Sequence, residues 1–152
     1  MKEKFINAYM KVAETFAGLS SARRLHVGAI IVKDDRIISI GYNGMPSGLD
    51  NDCEDLVVYR KEIEPGIFNN EYKHEWKTKP EVLHAETNAI AKLAKSTESG
   101  DGATLFVTHA PCMDCAKLVY QSGIKSVYYR NTYRSEDGIN FLNAAGVEIN
   151  KV

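Results

Sequence analysis

Apolar residues recur at three- and four-residue spacing over Phe5, Tyr9, Val12, Ala13 and Phe16. This is the buried stripe of an amphipathic helix running to about Gly18. Val27 to Val32 and Ile37 to Ile40 are short runs rich in β-branched residues, joined by Lys33-Asp34-Asp35-Arg36. They predict a hairpin whose face the first helix covers. His84 opens a second helical pattern carrying Ala85, Ala89, Ile90, Leu93 and Ala94 and ending near Gly100. Ala103 to Thr108 predicts a third strand, Cys112 to Ser122 a third helix, and Lys125 to Arg130 a fourth strand. Ser135 to Ala145 predicts a fourth helix and Val147 to Asn150 a last short strand. A strand, helix, strand order needs a crossover and favours parallel pairing. The fold expected is a three-layer α/β/α arrangement around a mixed five-stranded sheet, antiparallel in the first hairpin and parallel at the C-terminal end.

Two stretches break the pattern. Gly41 to Gly48 holds three glycines, a proline and an asparagine. It reads as a loop, either a plain surface turn or one whose backbone approaches a ligand. Residues 49 to about 80 are polar and irregular, with one short helix expected around Glu54 to Lys61 and the only tryptophan, Trp76, expected to pin the excursion to the core. So long a connection points to a function or an interface.

A chain of 152 residues, 44% hydrophobic and 26% charged, reads as a single domain spanning 1–152. No apolar run approaches the roughly 20 residues that span a bilayer. Three cysteines cannot all pair, which favours a reducing compartment and a cytoplasmic location. A net charge of −1 and a pI of about 6.4 argue for a small-molecule ligand over a polynucleotide, whose binders are usually basic.

The candidate chemistry lies in His84-Ala85-Glu86 and Pro111-Cys112-Met113-Asp114-Cys115. One imidazole and two thiolates make a three-ligand set that leaves a tetrahedral zinc a fourth position for water. Glu86 remains free to handle protons. His84 and Glu86, two apart, point to opposite sides of a regular helix, so the metal must sit at the helix N-terminal end. Cys112 and Cys115, three apart, share a helical face, and a helix N-terminus favours thiolates. Alone, the cysteine pair reads equally as a redox pair or half a structural zinc site. With Cys53 the only other cysteine, and a glutamate beside the histidine, a catalytic site is the stronger reading.

The paired signature H-x-E and P-C-x-x-C is that of the zinc-dependent nucleobase deaminases. Val27-Gly28-Ala29, Gly41-Tyr42-Asn43-Gly44, Asn88-Ala89, Ala116-Lys117 and Gln121 to Lys125 also resemble blocks of the deoxycytidylate (dCMP) deaminase family. The short chain is similar to virus- or phage-encoded members, which would place it in the host cytoplasm. The resemblance implies hydrolysis of dCMP to dUMP and ammonia, which feeds thymidylate synthesis. It further implies a homohexamer, dCTP as activator and dTTP as inhibitor. Glu86 would move a proton from a zinc-activated water to the ring and then to the departing amino group. Asn43 would bond the sugar, and backbone around Ala110 would read the base.

The 5′-phosphate needs cationic or backbone donors. Arg23, Arg24 and His26 before the first strand, and Tyr133 and Arg134 after the fourth, are the candidates, against a merely solvated charge cluster. Gly41, Tyr42, Asn43, Gly44, Ser47 and Gly48, with Lys92 and Lys95 from a neighbouring subunit, would hold the effector triphosphate and its Mg2+. Ser20 and Ser21 stand where some viral relatives carry cysteines for a second zinc. Cys53 and His74 are then either remnants of that site or an isolated thiol and a surface histidine. Competing functions are a deaminase of cytidine, guanine or tRNA adenosine, and a non-catalytic zinc-stabilised binding module.

Overall fold

A computed structural model describes residues 1–152. The elements follow in the order α1 (Glu3–Ala17), β1 (Gly28–Lys33), β2 (Arg36–Tyr42), β3 (Glu54–Glu64), β4 (Ile67–Thr78), α2 (Ala85–Ala94), β5 (Thr104–His109), α3 (Met113–Gln121), β6 (Ser126–Asn131), α4 (Asp137–Ala144) and β7 (Glu148–Lys151). Five strands form one sheet in the order β2-β1-β5-β6-β7. β1 pairs antiparallel with both β2 and β5, whereas β5-β6 and β6-β7 are parallel. The parallel pairs are those joined by the crossover helices α3 and α4.

Successive strand residues point to opposite faces, and both faces are buried. Ala29, Ile31, Leu105, Val107 and Val127 pack with Ala85, Ala89 and Leu93 of α2, Ala116 and Val119 of α3 and Leu142 of α4. Their neighbours Ile30, Val32, Phe106 and Tyr128 pack with Met10 and Ala13 of α1. On that face Phe106 lies between Tyr9 and Tyr128, with ring centroids 5.2 and 4.9 Å away. The three-layer mixed sheet read from the periodicity is thus the observed one. Asp34 and Asp35, at φ 50° and 56°, make the expected tight turn with the twist that joins antiparallel strands.

The excursion is the main correction. Glu54 to Lys61 is strand, not helix: β3 and β4 form a separate two-stranded antiparallel sheet turning at Pro65-Gly66. Leu56-Val57-Val58-Tyr59 is β-branched and aromatic, which suits a pleated strand. Neither face of this hairpin is buried in the chain, so no strict alternation advertises it. Trp76 does not enter the core. It is 41% exposed and lies opposite Leu56, with the Arg23 guanidinium 4.5 Å from its ring. Smaller differences fall at helix ends, where α2 stops at Ala94 and not near Gly100. No helix is long and apolar enough to cross a membrane.

Candidate active site

Two helix N-termini build the site. His84 and Cys112 are the residues immediately before α2 and α3, both with extended backbone (φ −73°, ψ 158° and φ −70°, ψ 170°). Each carbonyl accepts the first helical hydrogen bond, from Asn88 N–H at 2.9 Å and Ala116 N–H at 2.8 Å. Neither side chain caps its own helix, so imidazole and thiol are free for other partners. Glu86 and Cys115 follow within the first turns and are buried.

Two glycines permit the close approach of these segments. A Cβ at Gly41 in β2 would collide with Ala85 O and lie 2.7 Å from Ala89 N, so α2 rests directly on that strand. A Cβ at Gly138 in α4 would collide with Pro111 O and lie 2.8 Å from the carbonyl carbon of Cys112. α4 therefore presses directly on the peptide that presents Cys112.

His84 Nδ1 lies 3.2 Å from Cys115 Sγ and 3.6 Å from Cys112 Sγ. All three donor atoms lie within 4.8 Å of one another. Tetrahedral zinc, with Zn–S and Zn–N bonds of about 2.3 and 2.0 Å, sets its donors about 3.5–3.8 Å apart. The set fits zinc in number, type and spacing. It is also the only such group of three that the structure brings together. Cys53 is buried with its Sγ 3.7 Å from Ser21 Oγ, while His74 is exposed on the hairpin opposite Val58. Cys53 and His74 belong to no metal-ligating cluster.

The charges are arranged for proton handling. Burial pushes the Glu86 carboxyl up to about 7, against the opposing pull of the His84 charge. Hydrogen bonds from Cys115 and His84 hold the Cys112 thiol down at about 4, while Cys115 is pushed up by sharing a proton with Cys112 and by burial. The pair thus holds one thiolate ready and one proton for a cation to displace. His84 is raised, chiefly by its bond to Cys112.

A cavity of about 540 Å³ opens over these groups, lined by His84, Glu86, Ala110, Cys112, Asn43, Arg24, Tyr133 and Arg134 among others. That size suits a small-molecule ligand. Of the phosphate candidates, Arg24, Tyr133 and Arg134 reach the cavity and the other two do not. Arg23 is committed to an ion pair with Asp52, and His26 Nε2 bonds Ala22 O at 2.6 Å. Asn43 lines the cavity, but its amide oxygen accepts from Val27 N–H at 2.8 Å and its amide nitrogen donates to Leu25 O at 2.7 Å. Ala110 also lines it, with its N–H donating to Asn131 O at 2.8 Å. Sequence reasoning missed Glu54 and His109, which line the same cavity. His109 is lowered by burial. Only its position at the end of β5, one residue before Ala110, could have signalled it.

The stretch from Gly41 to Gly48 is part strand and part loop. Gly41 and Tyr42 belong to β2, opposite Ala29 and Gly28. Gly44 exchanges both backbone hydrogen bonds with Leu83, at 3.1 and 2.9 Å. Lys92 Nζ lies 5.6 Å from the Tyr42 ring, and burial lowers its pKa. Lys95 is exposed at the C-terminal end of α2, whereas Ser47 and Gly48 lie in the turn that follows Gly44.

This fold with this donor set defines a zinc-site deaminase domain. The family model for the cytidine and deoxycytidylate deaminase zinc-binding region matches residues 3–131, and the chain belongs to that family. It is 37% identical to deoxycytidylate deaminase of Enterobacteria phage T4, over 81% of this chain and 77% of that one. It is 35% identical to the human deoxycytidylate deaminase, over 94% and 76%. Among solved structures it resembles dCMP deaminase from the cyanophage S-TIM5 in complex with dCMP and dUMP. There the TM-score is 0.83 and the identity 48%, covering 100% of this chain and 99% of that one.

Proposed function

We propose that the protein is a zinc-dependent dCMP deaminase, hydrolysing dCMP to dUMP and ammonia and so supplying the precursor of thymidylate, in the cytoplasm of a phage-infected host. The observation that carries this reading is the His84, Cys112 and Cys115 cluster beside buried Glu86, in a cavity that also receives Arg24 and Arg134. Zinc held by the three ligands would supply Lewis-acid activation of water at neutral pH. Glu86, whose burial favours taking up a proton, takes one from the attacking water and hands it to the ring nitrogen beside the reacting carbon. It then carries the second proton, from the hydroxyl now on that carbon, to the amino group, which departs as ammonia as the carbonyl forms. One carboxylate within reach of both the water and the base serves both transfers. Arg24, Tyr133 and Arg134 hold the 5′-phosphate.

The same reading includes a homohexamer regulated by triphosphates, dCTP with Mg2+ activating and dTTP inhibiting. In support of assembly, the β3-β4 hairpin exposes Leu56, Val58, Ile63, Phe68 and Tyr72, and an isolated hairpin is marginal in water unless something covers it. For the effector site, the support is Lys92 beside Tyr42 of its own chain, not a neighbour's as the sequence suggested, next to the loop ending at Gly48. A Cβ at Gly44 would meet nothing within 4 Å, so Gly44→Val probes that loop.

The deciding experiment is turnover of dCMP, deoxycytidine and guanine by the zinc-loaded protein. dCMP is expected to be preferred over deoxycytidine by at least about 100-fold, because a phosphate paired with arginine forms strong charge-assisted hydrogen bonds. Equal rates would contradict a nucleotide substrate, and turnover of guanine alone would indicate the competing deaminase class.

A further inference from the structure

Glu54 is the first residue of β3 and is 2% exposed. Its Oε1 accepts the backbone N–H groups of Arg23 and Arg24 at 2.8 and 3.2 Å. Its Oε2 is buried and has no hydrogen-bond partner. The nearest cation, Arg23, approaches only to 3.5 Å, and its guanidinium is engaged by Asp52 and the Trp76 ring. Buried polar atoms are nearly always satisfied, and one that is not calls for an explanation such as a ligand. Glu54 lines the same cavity as His84 and Glu86, so this unsatisfied carboxylate borders the compartment that would receive substrate.

We infer that Glu54 Oε2 accepts a hydrogen bond from the 3′-hydroxyl of the substrate sugar and so makes the enzyme selective for nucleotides that carry it. The inference rests on the dCMP reading above. A carboxylate acceptor needs a donor and repels a phosphate. A deoxycytidine monophosphate has two neutral donor groups, the base amino group and the sugar hydroxyl. The amino group must lie at the reacting carbon, beside Glu86 and the zinc ligands. The hydroxyl remains. The amide of Asn43, the other candidate for the sugar, uses one lone pair on Val27 and one N–H on Leu25, so it can add at most a neutral second bond, whereas Glu54 offers a charged acceptor. Holding Oε1 on two backbone N–H groups fixes the carboxylate, so Oε2 is held in place before substrate arrives.

The test compares dCMP with 2′,3′-dideoxycytidine 5′-monophosphate on the zinc-loaded wild type, Glu54→Gln and Glu54→Ala, as kcat/KM. The Kd of each nucleotide is measured by calorimetry in a Glu86→Gln background. A site built around a substrate hydroxyl discriminates strongly against the analogue lacking it, so the wild type should favour dCMP by about 100-fold or more. Glu54→Gln should cut that preference at least tenfold, since a charge-assisted bond becomes a neutral one. Glu54→Ala should reduce it to within about threefold. If Glu54 merely props up Arg23 and Arg24, both nucleotides lose equally and the ratio stays put, which overturns the inference. So does a wild type that treats the two nucleotides alike. If Glu54→Ala does not fold, the ratio in the conservative Gln variant decides. A wild type that turns over neither nucleotide refutes the dCMP reading itself, a different failure from equal turnover of both.

Discussion

His84 Nδ1 stands 3.2 Å from Cys115 Sγ although 31 residues separate them. The contact exists because α2 and α3 begin at the same end of the sheet, each led by a residue with extended backbone whose side chain is not used as a cap. Purified protein should hold one zinc per chain, and His84→Ala or Cys112→Ser should abolish it. Chelation should remove activity before structure. The cores on both sides of the sheet are packed from residues that are not ligands. Metal analysis alongside circular dichroism checks this, and unfolding in step with metal loss would make the site structural.

Gly41 and Gly44 stand three apart in one glycine-rich block, yet their surroundings differ. Gly41→Ala would drive a methyl into Ala85 and Ala89 of the helix that follows His84. Overpacking of this kind costs about 1–3 kcal/mol, and zinc affinity should fall with it. Gly44→Ala meets open space and should change stability by no more than about 0.5 kcal/mol. Urea unfolding of the two variants separates the positions.

Two of the candidate phosphate-binding arginines should likewise behave differently. Arg134 lines the cavity, so Arg134→Ala should raise KM for dCMP about tenfold or more while leaving deoxycytidine turnover nearly unchanged. Arg23 is bound up with Asp52 and Trp76, so Arg23→Ala should leave the ratio of dCMP to deoxycytidine turnover within a few-fold. Steady-state kinetics on both substrates reads the contrast.

Burial of Glu86 has a cost that depends on pH in the metal-free protein. Its carboxyl is raised from 4.5 to about 7 on folding. Below pH 4.5 both states hold the proton and the group is neutral in stability. Between about 4.5 and 7 the unfolded chain releases it first, so stability falls as pH rises, then levels off. At about 1.4 kcal/mol per unit, Glu86→Gln should gain up to about 3 kcal/mol relative to wild type between pH 4.5 and 8. Chemical denaturation of both metal-free proteins across that range measures the widening gap.

Much of this site was legible in the sequence because its signals are local. His84, Glu86, Cys112 and Cys115 sit at fixed short spacings, and the alternation of strands with helical periodicity forecast the sheet that joins them. The hairpin was not legible, because Leu56 to Tyr59 and Trp76 lie on surfaces the chain itself leaves exposed. A strand without a buried face carries no alternating pattern. Glu54 was hidden for a related reason. Its role depends on two backbone N–H groups about thirty residues earlier, a relationship that no spacing encodes. Gly41, read as part of a ligand-binding loop, lies in β2 beneath α2. Sequence reveals a glycine but not whether it serves a ligand or a helix.

The central claim is that Glu86 moves protons in a zinc site that acts on dCMP. The most direct measurement is the turnover of dCMP by Glu86→Gln beside wild type, with zinc content and dCMP affinity determined on the same samples. The variant should keep one zinc and bind dCMP within a few-fold of wild type while kcat falls at least about 10²–10⁴-fold, the range of general acid–base catalysis. Near-normal turnover with zinc retained would contradict the account and place the proton transfer on another group.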